Sequence, residues 1–287
     1  MKIKIIRILS YLFNKAGLWK FHFFLHIAAQ FNNTIAKPKI LIIDGKKLFI
    51  HKKDDPVSNS LYFYSKHEPF EISLFQKLIK EGDVVVDVGA HIGYYTLIAS
   101  GLVGKTGRVF SFEPDPNNLL RLQQCVTANK LSNVVIVNRA VSNENKGDNR
   151  MFMINHKEKC IQVESITLDK YFAKSKLPID FIKMDIQGAE VKALQGMSDI
   201  LRKNQDIILI LEFWPYGYSH TGNNAKELLD LLEKYKFLFY HQGINEAANK
   251  LIPISTKTLL EDYRADNLSE STNILCIRNN SKITSLL

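Results

Sequence analysis

Two carboxylates stand 26 residues apart, each closing a run rich in β-branched and aromatic residues. Asp87 follows Val84-Val85-Val86, and Glu113 follows Val109-Phe110-Ser111-Phe112. Behind Asp87 comes Val88-Gly89-Ala90-His91-Ile92-Gly93, a turn bracketed by glycines. Glycines there let the backbone approach a ligand and let the next helix pack close to the strand. The turn lacks one glycine of the Gly-x-Gly-x-x-Gly dinucleotide fingerprint. An acid just before it repels phosphate and suits a cationic or zwitterionic ligand instead. Glu113 can accept hydrogen bonds from both hydroxyls of an adenosine ribose, a logic shared by nicotinamide and S-adenosylmethionine sites. Asp87 turns the balance towards S-adenosylmethionine. The plainer alternative is that both acids cap the helices that follow them.

Two further strands also end in acids. Ile182-Lys183-Met184-Asp185 runs into Ile186-Gln187-Gly188-Ala189-Glu190, and Leu211-Glu212-Phe213 opens the stretch Trp214-Pro215-Tyr216-Gly217-Tyr218-Ser219-His220. If the Asp185 strand neighbours the Asp87 strand, Asp185 faces the switch point where open α/β sheets bind ligands. There it can reach the amino or sulfonium side of a cofactor, or a substrate hydroxyl. Residues 214–220 read as an aromatic, glycine-containing loop above the sheet.

With these motifs in this order, the chain resembles the FkbM-type family of S-adenosylmethionine-dependent methyltransferases over about residues 62–278. Asp87–Thr96 is similar to the family's first cofactor motif, Phe112–Pro116 to its ribose-binding motif, and Ile179–Glu190 to its fourth motif. The resemblance implies a Rossmann-like class I methyltransferase fold: α/β, seven strands, mostly parallel, the last antiparallel. It also implies O-methylation of sugars or other hydroxylated metabolites. On this reading Asp87, Gly89, Ala90, His91, Gly93, Glu113 and Asp185 serve the cofactor. Two positions depart from the family: His91 stands where Asn is usual, and Gln187 where Glu is frequent.

Methyl transfer from a sulfonium aligns nucleophile, methyl and sulfur, and removes the proton of the attacking hydroxyl. Asp185, Glu212 and His220 are the candidates for handling that proton, with His91 beside them. His91 can equally cap the helix that begins near Gly93, and His220 can be a plain surface residue. Asp185 with Glu212 holds a divalent ion only if a third oxygen ligand joins them, so a metal is conceivable but unsupported. Trp214, Tyr216, Tyr218, Tyr94 and Tyr95 offer faces on which a sugar can stack, or else belong to the core. Gly101–Thr106 looks like a phosphate loop but lacks its first glycine and reads as a turn. Trp214-Pro215-Tyr216 is not the Asn/Asp-Pro-Pro-aromatic signature of amino-group methylation.

The elements that must carry these residues follow from periodicity. Strands are expected at 83–87, 108–113, 134–138, 179–185, 206–213, 237–242 and 272–278, and helices at 93–102, 116–130, 168–174, 189–197 and 224–235. Strands separated by helices imply a mostly parallel sheet with right-handed crossovers. Residues 143–163 read as irregular, with short antiparallel strands. Asp44-Gly45 between two apolar runs marks a hairpin, and residues 51–69 are polar and aromatic, with turn chemistry around Asp54-Asp55-Pro56. The expected organisation is a basic amphipathic segment over 1–36, a hairpin and connector over 37–69, and the methyltransferase domain over 70–287.

Charge separates these parts. Of 287 residues, 1–53 carry eleven Lys and Arg against one acid, leaving 27 basic and 28 acidic side chains in the rest. A neutral body argues against a nucleic-acid substrate, which needs a basic face. The basic arm suits an anionic membrane surface. Residues 2–30 are apolar but broken by Lys4, Arg7, Lys15 and Lys20, too interrupted to span a bilayer. They are expected to lie on its inner face. Three widely spaced cysteines fit a reducing compartment and no disulfide scaffold. The expected protein is a cytoplasmic O-methyltransferase of a sugar, glycan or lipid-linked glycan. A nucleic-acid methyltransferase, a nicotinamide dehydrogenase and a catalytically silent scaffold are the alternatives.

Overall fold

A computed structural model describes residues 39–50, 56–146, 149–153, 159–175, 177–242 and 250–278. The expected amphipathic segment over 1–36 lies outside these residues. The chain divides into two compact units, 1–69 and 70–287.

In the first unit, β1 (Lys39–Ile43) pairs antiparallel with β2 (Lys46–Ile50). Asp44 and Gly45 both take positive φ, 47° and 77°, as a two-residue hairpin turn requires. The turn expected around Asp54-Asp55-Pro56 lies largely outside the described residues, and helix α1 (Pro56–Tyr64) begins at its proline. Proline is well placed at its start, because the first helical N–H has no partner to lose.

The second unit opens with α2 (Pro69–Leu78) and continues through β3 (Val84–Val88), α3 (Tyr94–Leu102), β4 (Arg108–Phe112), α4 (Pro116–Ala128) and β5 (Val134–Val137). An excursion follows: β6 (Ala140–Val141), β7 (Asn149–Met153), β8 (Lys159–Val163), β9 (Ser165–Ile166) and α5 (Leu168–Tyr171). The chain then forms β10 (Phe181–Met184), α6 (Glu190–Gln195), α7 (Ser198–Lys203), β11 (Ile208–Phe213), α8 (Pro215–His220) and α9 (Ala225–Lys234). It closes with β12 (Leu238–Gln242), β13 (Leu251–Ile254), α10 (Thr256–Asp262) and β14 (Thr272–Ile277).

The main sheet has the order β13-β12-β14-β11-β10-β3-β4-β5. β11, β10, β3, β4 and β5 run parallel, and β14 is antiparallel to both β11 and β12. The seven expected strands are present with the last one reversed. An eighth, β13, joins the edge antiparallel to β12. Its Leu-Ile-Pro-Ile sequence gives a weak strand signal, and an edge is where a strand tolerates proline.

Every residue of β3 and β10 is buried, as is most of β11, because helices cover both faces of a parallel sheet. Helix α9 shows the local logic. Asn224 and Glu227 form a reciprocal capping box, and Leu228, Leu229 and Leu232 fill the core. Residues 214–220 are not a loop. They form helix α8, with Pro215 in its first turn and the Tyr218 hydroxyl donating 2.5 Å to the Glu212 carbonyl.

Candidate active site

The central strands end in a tightly packed junction. Gly89 N and Ala90 N both donate to the Phe112 carbonyl at 3.0 Å, and Asp185 N donates to the Val88 carbonyl at 3.0 Å. Gly93, at φ 90°, packs against Leu122 and is the N-cap of α3, with no side chain capping that helix. His91 (φ 52°) therefore does not cap it.

Asp87 is fully buried. The Thr96 hydroxyl donates to its Oδ2 at 2.7 Å and itself lies 2.8 Å from Ser111 Oγ. Its Oδ1 receives no hydrogen bond. Burial raises the Asp87 carboxyl, against the opposing pull of the Lys183 ammonium. Glu113 accepts from His91 N at 2.7 Å and from Asp115 N at 2.8 Å. Burial pushes it up to about 7 even so. It does not cap α4: that cap is Asp115, which accepts from Asn117 N and Asn118 N.

On the other side of the junction, Lys183 Nζ lies 3.1 Å from Asp185 Oδ2 and 4.4 Å from the centre of the Tyr95 ring. Gln187 Nε2 donates to Asp185 Oδ1 at 3.0 Å and to Glu212 Oε2 at 3.3 Å. Burial alone would raise Asp185, but Lys183 and the Gln187 amide outweigh it and hold the carboxyl below its usual range. Burial, reinforced by the negative charge of Asp185, drives Glu212 well up. The surroundings thus push the two neighbouring carboxyls in opposite directions. Among the described residues no cluster of three or more His, Cys, Asp or Glu is arranged to hold a metal ion.

Gln187 and Gly188 both take positive φ, 56° and 98°. This bend seats Gly188 against the backbone of Gly217 in α8, so closely that a Cβ would meet it at 2.4 Å. Thr221 Oγ1 donates to the Gly188 carbonyl at 2.7 Å. His220 ends α8 exposed, with Nδ1 2.8 Å from the Tyr216 carbonyl and its ring 4.2 Å from the Tyr216 ring. A carbonyl can only accept, so this contact places a proton on Nδ1 and leaves Nε2 outside it.

A cleft of about 390 Å³ opens over this junction, lined among others by Gly89, Phe112, Pro114, Gln187, Lys192 and His220. That volume suits a small-molecule site. Asp87, Glu113 and Asp185 each adjoin a lining residue in sequence: Val88, the Phe112 and Pro114 pair, and Ile186. Ala90, His91, Gly93 and Glu212 do not line it. Of the expected sugar-stacking aromatics, Tyr94, Tyr95, Trp214 and Tyr218 are buried in the core. Tyr216 alone of the five is half-exposed.

Sequence reasoning assigned no role to Lys183 or Glu190. Lys183 stands in an otherwise apolar strand two residues before Asp185, hence on the same face, a signal that could have exposed the pair. Glu190 is fully buried, with Oε1 accepting from Ile186 N at 2.8 Å and Oε2 unpartnered.

The sheet order and the acid-ended strands around one cleft define a Rossmann-like class I methyltransferase. The match to the methyltransferase FkbM domain spans residues 87–239, and the chain belongs to that family. It is an enzyme whose methyl donor is S-adenosylmethionine. The chain is 27% identical over 176 residues to the hexuronic acid methyltransferase AglP of Haloferax volcanii, covering 58% of this chain and 67% of that protein. A crystal structure of methyltransferase FkbM from Methylobacillus flagellatus aligns with 18% identity and a TM-score of 0.45, over 78% of this chain and 55% of that one. An S-adenosylmethionine-dependent O-methyltransferase from Thermotoga maritima aligns with 14% identity and a TM-score of 0.42, over 84% and 77%.

The residues present fit such a donor. A buried carboxylate oxygen without a hydrogen-bond donor, Asp87 Oδ1, is suited to a cationic ligand and would repel a phosphate.

Proposed function

We propose that this enzyme methylates a hydroxyl oxygen of a sugar, glycan or lipid-linked glycan. The observation that carries the reading is that Gln187 and His220 line the same cleft as Gly89. The turn that serves the donor thereby opens on the same cleft as a histidine.

On this reading Gly89, which lines the cleft, and Asp87, Glu113 and Asp185, which adjoin lining residues, serve the cofactor, while Ala90, His91 and Gly93 hold the shape of the turn. Glu113 takes the ribose hydroxyls, while Asp87 and Asp185 face the cationic end. S-adenosylmethionine supplies an activated methyl group on a positively charged sulfur. His220 Nε2 takes the proton of the acceptor hydroxyl as the new bond forms, and its Nδ1 anchor on Tyr216 fixes the ring for that role. Asp185 and Glu212, bridged by Gln187, orient the acceptor. The AglP relative, named for a hexuronic acid, supports a saccharide acceptor.

A nucleic-acid acceptor is disfavoured by the even balance of charge beyond residue 53. The basic arm supports a place on the cytoplasmic face of a membrane, where lipid-linked sugars are assembled. Among the described residues no helix is long and apolar enough to cross one. Purified enzyme incubated with labelled donor and a panel of sugars, uronic acids and lipid-linked glycans should transfer label to a saccharide oxygen. Label on RNA alone would overturn the proposal.

A further inference from the structure

The lining of the cleft carries three cations, Arg139, Lys146 and Lys192, against a single acid, Glu144. Two of the cations are already matched. Arg139 lies 2.9 Å from Glu164, and Lys146 pairs with Glu144. Lys192, in α6, is half-buried and makes no ion pair among the described residues. Beyond residue 53 basic and acidic side chains balance, so this positive charge is local to the cleft.

The elements around Lys192 are fixed to one another. A Cβ on Gly196, just after α6, would lie 2.1 Å from the Ser142 carbonyl oxygen, so the helix end and the loop after β6 touch backbone to backbone. Asn143 Nδ2 donates to Gln195 Oε1 at 2.8 Å across the same contact. Ser165 of β9 holds the loop as well: its Oγ donates to the Glu144 carbonyl at 2.8 Å, and its N–H to the Lys146 carbonyl at 2.8 Å. Before α6, the packing of Gly188 on Gly217 and the hydrogen bond from Thr221 join the turn to α8, which ends in His220. Lys192 and His220 therefore stand on adjoining elements, and both line the cleft.

A half-buried ammonium with no acid beside it is one half of a pair, and an anionic ligand completes it. The donor has a carboxylate of its own. Lys192, however, shares the lining with His220, Thr221 and the loop over 142–146, none of which belongs to a donor motif. We propose that Lys192 is a specificity-determining residue, whose ammonium selects an acceptor sugar bearing a carboxylate or a phosphate over a neutral one. A lysine ammonium is a compact point charge that takes either anion. The contact is made before methyl transfer and kept through it, so its loss should appear in KM rather than in kcat.

The inference rests on a saccharide acceptor, and one experiment separates the two. The full chain is assayed with labelled donor on a hexuronic acid, the carboxamide of that acid, the parent hexose and the hexose phosphate. At low salt, kcat/KM for the acid or the phosphate should exceed that of its neutral counterpart by about ten- to a hundredfold, the worth of one charged hydrogen bond. The preference should shrink as ionic strength rises. Which of the two anions is favoured tells a uronic acid from a sugar phosphate. Lys192→Met should remove the preference through KM with donor affinity unchanged, and Lys192→Arg should keep most of it. Equal use of charged and neutral sugars by the wild type overturns the inference and leaves the saccharide acceptor standing. Weakened donor binding by Lys192→Met, with the sugar preference intact, also overturns it and gives the ammonium to the donor carboxylate. Label on none of the sugars removes the saccharide acceptor and the inference with it. The comparison of acid with carboxamide needs no variant, so a variant that fails to fold leaves the test intact.

Discussion

A Cβ placed on Gly89 would lie 2.0 Å from the carbonyl oxygen of Asp185. The turn after β3 and the end of β10 therefore touch backbone to backbone, which brings the first and third acidic motifs into one site. The glycine also holds φ 84°, a conformation L side chains rarely adopt. Gly89→Ala should destabilise the protein by about 2 kcal/mol or more, through left-handed strain together with a backbone clash. Urea titration checks this, and a midpoint equal to the wild type would disprove the role of that contact.

Glu113→Gln should weaken S-adenosylmethionine binding by about ten- to a hundredfold, the worth of one charged hydrogen bond of about 1.5–3 kcal/mol. The amide can still accept at one atom but presents a donor at the other, facing either His91 N or Asp115 N. Equilibrium dialysis with labelled cofactor measures the change. Unaltered affinity would remove Glu113 from the ribose.

Stability should fall as pH rises from about 5 to 8. Burial raises Glu113 and Glu190 in the folded state to about 7 and about 8, from an ordinary glutamate value of 4.5. Between those limits the native state binds more protons than the unfolded one, so unfolding becomes easier as pH increases. The slope approaches about 1.4 kcal/mol per pH unit for each proton. Urea midpoints at successive pH values report it, and Glu190→Gln should flatten the upper part of the curve.

Lys183→Met should cost about 1.5–3 kcal/mol, because it leaves the partly buried Asp185 carboxylate with the Gln187 amide but without its charged partner. Asp185 titrates below its usual range, so its contribution is present above the unfolded value and lost as pH falls through the folded one. Adding Asp185→Asn to Lys183→Met should restore part of the stability. A double variant as unstable as the two single losses combined would show that the groups act independently.

His220→Ala should lower turnover by about 10²–10⁴-fold while leaving cofactor affinity unchanged. Steady-state kinetics on the acceptor found by screening, beside direct cofactor titration, separates the two effects. Unchanged turnover would remove His220 as the base.

The alternation of strands and helices, the hairpin at Asp44-Gly45 and the acids closing four strands were all readable from the chain. Hydrophobic period, turn glycines and capping residues act over a few neighbours, so they are written locally. Tertiary structure alone decided what those acids are packed and hydrogen-bonded against. Lys183 meets Asp87 across adjacent strands, Asp115 rather than Glu113 caps α4, and Gln187 bridges Asp185 to Glu212. Tyr94, Tyr95, Trp214 and Tyr218 went to the core, and a stretch rich in glycine and aromatics became helix α8. Burial and ion pairing arise between segments distant along the chain. Whether an acid keeps its proton therefore depends on what the fold packs against it, and residue type and spacing do not carry that information.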